Sequence, residues 1–508
     1  MHDQKDNEIV DLLVVGGGIN GTGIARDAAG RGLSVILCEK NDLASGTSSK
    51  SSKLIHGGLR YLEYAEFRLV REALIEREVL LRAAPHLVSP LRIVLPHHKG
   101  LRPKWMLRFG LFLYDHLGGR KLLPSTSVAN LRTGESKDVL KPEFTTGFVF
   151  SDCRVDDARL VVANALDAQE RGAEILTRTK CSALKQNGDY WEATLSTHGE
   201  GSNTKAKPRI VKAKCIINAS GIRVDELVEV ALGREHENHL RLVKGSHIVT
   251  KRLYEGRQLY MFQNPDGRII FAIPYEQKYT LIGTTDAPYE MSDGAIEISP
   301  EETDYLLSAA SEYFQNPITH DDIVWSYAGV RPLYDNNKQS ASAVTRDYVF
   351  DLMDKDMPPI LSIFGGKITT YRELSEHAMG KLRKHFPDMP KRWTSKARLP
   401  GGNMSNADFD KYVSNKTLTY PWLPSETLLR VTRAYGSNVG KMIGEAKSCD
   451  DMGQQFACGL SAQEVDYLCT YEWAKSADDI LWRRTKCGLH MSEQERTDFT
   501  KWFQARKT

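Results

Sequence analysis

No apolar run in the 508-residue chain approaches the length needed to cross a bilayer, so no membrane-spanning segment is expected. Residues Met1 to Glu8 are polar and lead straight into an apolar run; with no h-region, no secretory signal is expected either. Cysteine is sparse. Its eight copies stand singly at positions 38, 153, 181, 215, 449, 458, 469 and 487, and none forms a C-x-x-C pair. That spacing excludes the usual zinc and iron–sulfur ligand sets, and a chain so long and so poor in cysteine is not a disulfide scaffold. Reduced structural thiols in a cytosolic compartment are the simplest reading. Net charge is also small, at +3, which gives no argument for nucleic acid as a partner and makes any electrostatic argument local. Neither an internal repeat nor a low-complexity tail is visible. What remains, 41% hydrophobic and 26% charged residues, is the composition of a soluble globular protein, and the length predicts two or three domains.

Glycine is placed where it carries meaning. The apolar run Leu12–Val15 predicts a short buried parallel strand, and it stops at Gly16. Gly16, Gly18 and Gly21 then supply the G-x-G-x-x-G spacing. The first allows a tight turn, the second lets backbone approach a pyrophosphate, and the third lets the next helix pack close to the strand. That helix is predicted over Asn20–Ala29, with its amide end toward the phosphates. A second strand, Ser34–Cys38, ends at Glu39, where an acid can bind a ribose hydroxyl. Together these predict a dinucleotide-binding βαβ unit, although this half alone does not separate FAD from NAD.

The Ser/Gly stretch behind Glu39 reads either as a flexible linker or as a cofactor cradle. Ser48, Ser49 and Ser52 offer hydroxyls, and His56-Gly57-Gly58-Leu59-Arg60-Tyr61 permits close approach to a flat ring, so the cradle is favoured. A helix is predicted over Glu66–Ala84, stopped by Pro85. Leu91–Leu123 carries seven basic residues against one acid, Asp115, with Trp105, Phe109 and Phe112 among them. This predicts either a helix lying in a membrane interface or a core helix with a solvated basic edge. A strand turning into a helix is expected across Phe148–Asp167, with strands at Ala173–Thr179 and Trp191–Ser196. The run Cys215–Gly221 ends in small residues, Ala219 and Gly221, as a third cofactor-domain strand requires where it meets the dinucleotide. From Val243 short strands predict a mixed or antiparallel second lobe, with a helix at Thr303–Phe314. Strands with functional ends are expected at Arg331-Pro332 and at Gly365-Gly366-Lys367, the latter restarting as a helix at Thr369. Beyond Pro400–Gly402 the pattern is helical.

Taken in order, Gly16–Ala25, Ser51–Leu62, Lys244–His247, Ile282–Asp286, Gly329–Pro332, Phe364–Tyr371 and Asp478–Lys486 resemble the FAD-dependent glycerol-3-phosphate dehydrogenases of the membrane-associated bacterial type. The resemblance runs from about residue 9 to the end. The helical tail lacks the paired cysteines of the iron–sulfur-linked relatives, and no long insertion of the oxygen-using oxidases is visible. The resemblance implies FAD as hydride acceptor, sn-glycerol 3-phosphate as donor, dihydroxyacetone phosphate as product and quinone as the next acceptor. It also implies a cytoplasmic protein held peripherally on an anionic inner membrane surface, and leaves a homodimer open. The expected fold is α/β, with a Rossmann-like FAD-binding domain at 1–240 and 320–388 that includes the basic segment 91–123. A mixed or antiparallel substrate lobe is expected at 241–319, with a contribution from 80–150, and an α-helical domain at 389–508.

The substrate's phosphate calls for forked, permanently charged donors, and Arg60 and Arg331 are expected to meet it and the developing alkoxide, with Tyr61 as a neutral partner. His247 is the expected general base, with His56 as the alternative, because imidazole exchanges protons near neutral pH. Lys367 is expected to stabilise charge at the reduced flavin edge, with Thr369 and Thr370 as hydrogen-bonding partners. Cofactor contacts are expected from Gly16, Gly18, Asn20, Gly21, Glu39, Ser48, Ser49, Ser52, His56, Gly57, Gly58, Ala219, Gly221, Gly365, Gly366, Lys367 and Thr369; no metal site is expected. The rival readings are a soluble oxidase that reduces oxygen to peroxide and a flavin- or lipid-binding module without turnover.

Overall fold

The computed structural model describes residues 8–197, 207–233, 240–334 and 347–506. Most of the polar N-terminal stretch lies outside them. Leu12, Leu13 and Val14 have no exposed surface, since Ile9–Val15 is a central strand with a parallel neighbour on each side. The sheet order is 349–353, 360–364, 209–218, 9–15, 35–38, 174–176, with the antiparallel hairpin 179–187/190–197 branching from 209–218. The helices Ile19–Gly30, Asp157–Glu170 and Tyr371–Lys381 cover one face. The Asp156 carboxylate caps the second of these by accepting from Arg159 N at 3.2 Å.

A second sheet runs in the order 287–288, 240–251, 279–283, 269–275, 259–263, 88–96, 146–155, 54–55. Ile323–Tyr334 pairs along the whole of Leu240–Lys251, so a boundary at residue 320 cuts this sheet, and both 54–55 and 88–155 contribute to it. The strand Val88–Pro96 takes the first part of the basic segment, leaving only Lys104–Leu117 as helix. That strand pairs with Thr146–Val155 along its length, and this long-range register outweighs the helical look of its composition. In the helix Leu111 and Tyr114 point into the protein, while Trp105, Phe109 and Phe112 are 67%, 58% and 55% exposed. Three exposed aromatics therefore stand on the outer face of one short helix.

The last hundred residues form a helical bundle around Leu428, Val431, Met442, Leu468 and Phe499. Its segment Asp479–Arg484 is a π-helical turn. The helix expected at Thr369 begins instead at Tyr371, because Gly365 and Gly366 have φ of +75° and +96° and Thr370 serves as its N-cap.

Candidate active site

A single cavity of about 1290 Å³ runs from Gly16 to Arg331, between the two sheets. Its first end is backbone. Gly16 has φ +117°, and a Cβ there would sit 2.3 Å from the Ala219 carbonyl oxygen; a Cβ on Gly21 would sit 1.9 Å from the Gly16 oxygen. Neither position admits a side chain. Gly18 differs, since a Cβ there would meet only the Ser48 hydroxyl, at 3.1 Å, on the cavity side. Ser48 Oγ accepts from Ile19 N at 2.9 Å, so one of the helix's first amides is already satisfied within the protein. Glu39 closes this end: its two carboxylate oxygens accept from Gly17 N at 2.7 Å and from Asn41 N at 2.8 Å. Burial pushes its pKa up against those two donors. Ala219 and Gly221 line the same wall, and Asn20 Nδ2 donates to the Gly365 carbonyl at 3.0 Å. The side-chain oxygen of Asn20, Oδ1, is buried and has no partner within the protein. A buried orphan acceptor beside a glycine turn fits a polar cofactor such as FAD.

The far end is made of side chains. His247 is 2% exposed and stacks on Tyr327 at 4.8 Å, with 16° between the rings. Gly283 stands opposite it in the sheet, where a Cβ would come within 2.1 Å of the imidazole. His247 Nε2 is hydrogen-bonded to Ser52 Oγ at 2.8 Å, while its Nδ1 is buried without a protein partner. Burial, with Lys53 and Arg331 nearby, holds its pKa well below the ordinary 6.5. The ring is therefore neutral at physiological pH and able to receive a proton.

Arg331 crosses Gly245, where a Cβ would lie 2.5 Å from its Nη2, and donates to Asp286 at 2.9 Å and to Thr284 Oγ1 at 3.4 Å. Arg60 and Tyr61 lie in the 3-10 turn Leu59–Tyr64 on the cavity wall, with Lys367 Nζ 4.1 Å above the Tyr61 ring. Gly58, at φ +70°, is covered by that ring. His56 is half-buried and also lines the cavity; its pKa is lowered by desolvation, with Asp152 opposing and Lys367 reinforcing the shift. Its backbone N–H donates to Thr369 Oγ1 at 3.3 Å.

Four expected contacts fall elsewhere, Gly21 among them, since it packs against the Gly16 carbonyl and lies off the cavity wall. Gly57 faces Leu74 and Tyr114 and donates its N–H to the Tyr114 hydroxyl at 2.8 Å, so it is glycine for packing and not for a cofactor. The Ser49 hydroxyl donates back to the Gly46 carbonyl at 3.4 Å and lies off the cavity wall. Thr370 caps a helix and is outside the main cavity. Conversely, sequence reasoning missed Asp286 as the partner of Arg331, Tyr327 beneath His247, and the buried pair Lys53–Asp157 at 2.7 Å. The repeated Ser-Ser-Lys at 48–53 was the available signal for Lys53.

Residues 11–372 match the family described as FAD dependent oxidoreductase, and residues 392–498 match the C-terminal domain of alpha-glycerophosphate oxidase. The chain is 49% identical to D-erythritol 1-phosphate dehydrogenase of Brucella abortus over 98% of both chains. It is 48% identical to a glycerol-3-phosphate dehydrogenase of Pseudomonas aeruginosa over 98% of this chain and 96% of that one. The crystal structure of the Bacillus halodurans glycerol-3-phosphate dehydrogenase complexed with FAD superposes with a TM-score of 0.72 at 26% identity, covering 98% of this chain and 95% of that one. With the glycine turn, Glu39 and the orphaned Asn20 oxygen in place, the chain belongs to the FAD-dependent oxidoreductases, in the branch of the glycerol-3-phosphate dehydrogenases.

Proposed function

We propose that the chain oxidises sn-glycerol 3-phosphate to dihydroxyacetone phosphate at a membrane surface. The glycine turn, Glu39 and Asn20 would hold FAD, which would supply the acceptor for the C2 hydride and the link to a membrane quinone. The observation that carries this reading is a neutral, buried His247 near Arg331, on a cavity that Arg60 and Lys367 also line.

Two arginines and a lysine lining the same cavity suit a dianionic phosphate and a developing alkoxide. Asp286 keeps Arg331 extended across Gly245, so its guanidinium is oriented before substrate arrives. His247 takes the proton of the C2 hydroxyl. Ser52 on Nε2 and Tyr327 beneath the ring hold the imidazole in one orientation. The low basicity imposed by burial makes the proton easy to release after each turnover.

The name of the Brucella relative supports a second reading, a four-carbon polyol phosphate in place of the three-carbon one. Both substrates present a phosphate and a neighbouring secondary alcohol to the same groups. Comparing kcat/KM for the two separates them, and a preference of about tenfold or more for erythritol 1-phosphate would reverse the assignment. With glycerol 3-phosphate and a quinone analogue, one dihydroxyacetone phosphate is expected per quinone reduced. Peroxide formed in that proportion instead would indicate an oxidase.

The outer face of Lys104–Leu117 supports peripheral attachment to an anionic bilayer. Trp105, Phe109 and Phe112 lie one helical turn apart on a helix rimmed by Arg102, Lys104 and Arg108. Among the described residues no helix is long and apolar enough to cross a membrane.

A further inference from the structure

The helical domain reaches the cofactor side of the molecule through the π-helical turn Asp479–Arg484, where two arginines end on one carboxylate. Arg484 donates in a fork to Asp42, Nη1 to Oδ2 and Nη2 to Oδ1, each at 2.8 Å. Arg483 Nε adds a third bond to Asp42 Oδ2 at 2.6 Å. Asp42 and Arg484 are each 1% exposed. Arg484 also donates to the Glu472 carbonyl at 2.7 Å, and Asp479 holds both Arg483 and Arg178. An apolar contact could join two domains without desolvating charges, so a buried ionic cluster at this joint calls for a role beyond adhesion.

Asp42 sits in the turn that carries Glu39. Glu39 accepts from Gly17 N and Asn41 N, Ala44 N donates to the Gly17 carbonyl at 3.1 Å, and Arg178 N donates to the Asn41 carbonyl at 2.8 Å. The 39–44 turn and the glycine turn are thus one hydrogen-bonded unit, and whatever fixes Asp42 fixes both. Among the described residues none beyond Thr369 lines the cavity, so the helical domain acts on it only through such links.

We propose that Arg483 and Arg484 are positioning residues for FAD. Through Asp42 the C-terminal domain locks the loop that receives the ribose end of the cofactor, and so sets how long FAD is retained without entering the chemistry. The arginine fork is what makes the lock directional, because a single ammonium cannot engage both carboxylate oxygens in one plane.

The test uses full-length holoenzyme carrying Arg483→Met, Arg484→Met or Arg484→Lys, diluted while flavin fluorescence reports FAD release. Release is expected to be about tenfold faster in Arg484→Met and about threefold faster in Arg483→Met, with Arg484→Lys between wild type and Arg484→Met. At saturating FAD, kcat is expected to stay within about twofold of wild type. Arg483 is only partly buried, so its variant gives the answer if Arg484→Met does not fold. Wild-type release from the folded variants would overturn the proposal. So would a lowered kcat in enzyme that still holds FAD as tightly as wild type, since that would place the arginines in the chemistry.

Discussion

At the Gly16–Glu39 end the cavity wall is backbone held by glycine, whereas at the His247–Arg331 end it is side chains held by other side chains. The first end comes from one continuous stretch of chain and is shaped by steric exclusion: a Cβ on Gly16 or Gly21 would overlap a carbonyl oxygen. The second is gathered from five distant segments and depends on hydrogen bonds and charge, with Ser52 on His247 and Asp286 on Arg331. The difference assigns different failures to the two ends. Damage at the glycine end should cost the cofactor; damage at the other should spare the cofactor and cost chemistry or substrate affinity.

The largest effect is expected at the glycine end. Gly21→Ala forces a methyl to within 1.9 Å of the Gly16 oxygen, and neither backbone segment can move without disturbing the central strand. A loss of about 3 kcal/mol or more is expected, with protein that purifies colourless. Yellow protein with a wild-type melting temperature would show that the turn relaxes, and would erase the contrast. Next in size is His247→Gln, where anaerobic flavin reduction by substrate should slow by about 10²- to 10⁴-fold while FAD stays bound. If the rate held, His56 would become the base. Arg331→Lys keeps the charge but loses the fork, so KM should rise about tenfold with a smaller change in kcat; an unchanged KM would remove Arg331 from the phosphate.

The last test is a pH dependence of stability. Burial lowers the pKa of His56 and His247, and that of His86 to about 3, with Arg159 and Arg433 adding to the last. Unfolding frees these groups to bind protons near pH 6.5, so the unfolded state gains protons that the folded state refuses. Stability should therefore be level above about pH 7 and fall below about pH 6.5, by up to about 1.4 kcal/mol per pH unit for each histidine. Two of the three line the cavity near its redox end and none belongs to the glycine turn. A melting temperature that did not drop between pH 7 and 5.5 would contradict those burial assignments.

The same contrast explains how far the sequence could be read. Gly16, Gly18, Gly21 and Glu39 announce themselves through local spacing, because strand, turn and helix are consecutive. Arg60, His247, Arg331 and Lys367 were legible only as parts of longer motifs, and each does line the one cavity. Their partners were not legible. Ser52 meets His247 across 195 residues and Lys53 meets Asp157 across 104, and such pairings depend on the register of Leu240–Lys251 and Thr146–Val155 within a mixed sheet. Gly57 misled because a glycine needed for packing against Leu74 looks the same in sequence as one needed beside a flavin. The strand Val88–Pro96 was hidden by its basic and aromatic neighbours, whose composition suggested one long amphipathic element.

The most direct test is spectroscopic. Full-length protein purified with its flavin should be yellow, and adding glycerol 3-phosphate without oxygen should bleach the flavin absorbance with one equivalent of substrate per FAD. Absorbance that survives excess glycerol 3-phosphate and erythritol 1-phosphate alike would contradict polyol-phosphate oxidation at this site.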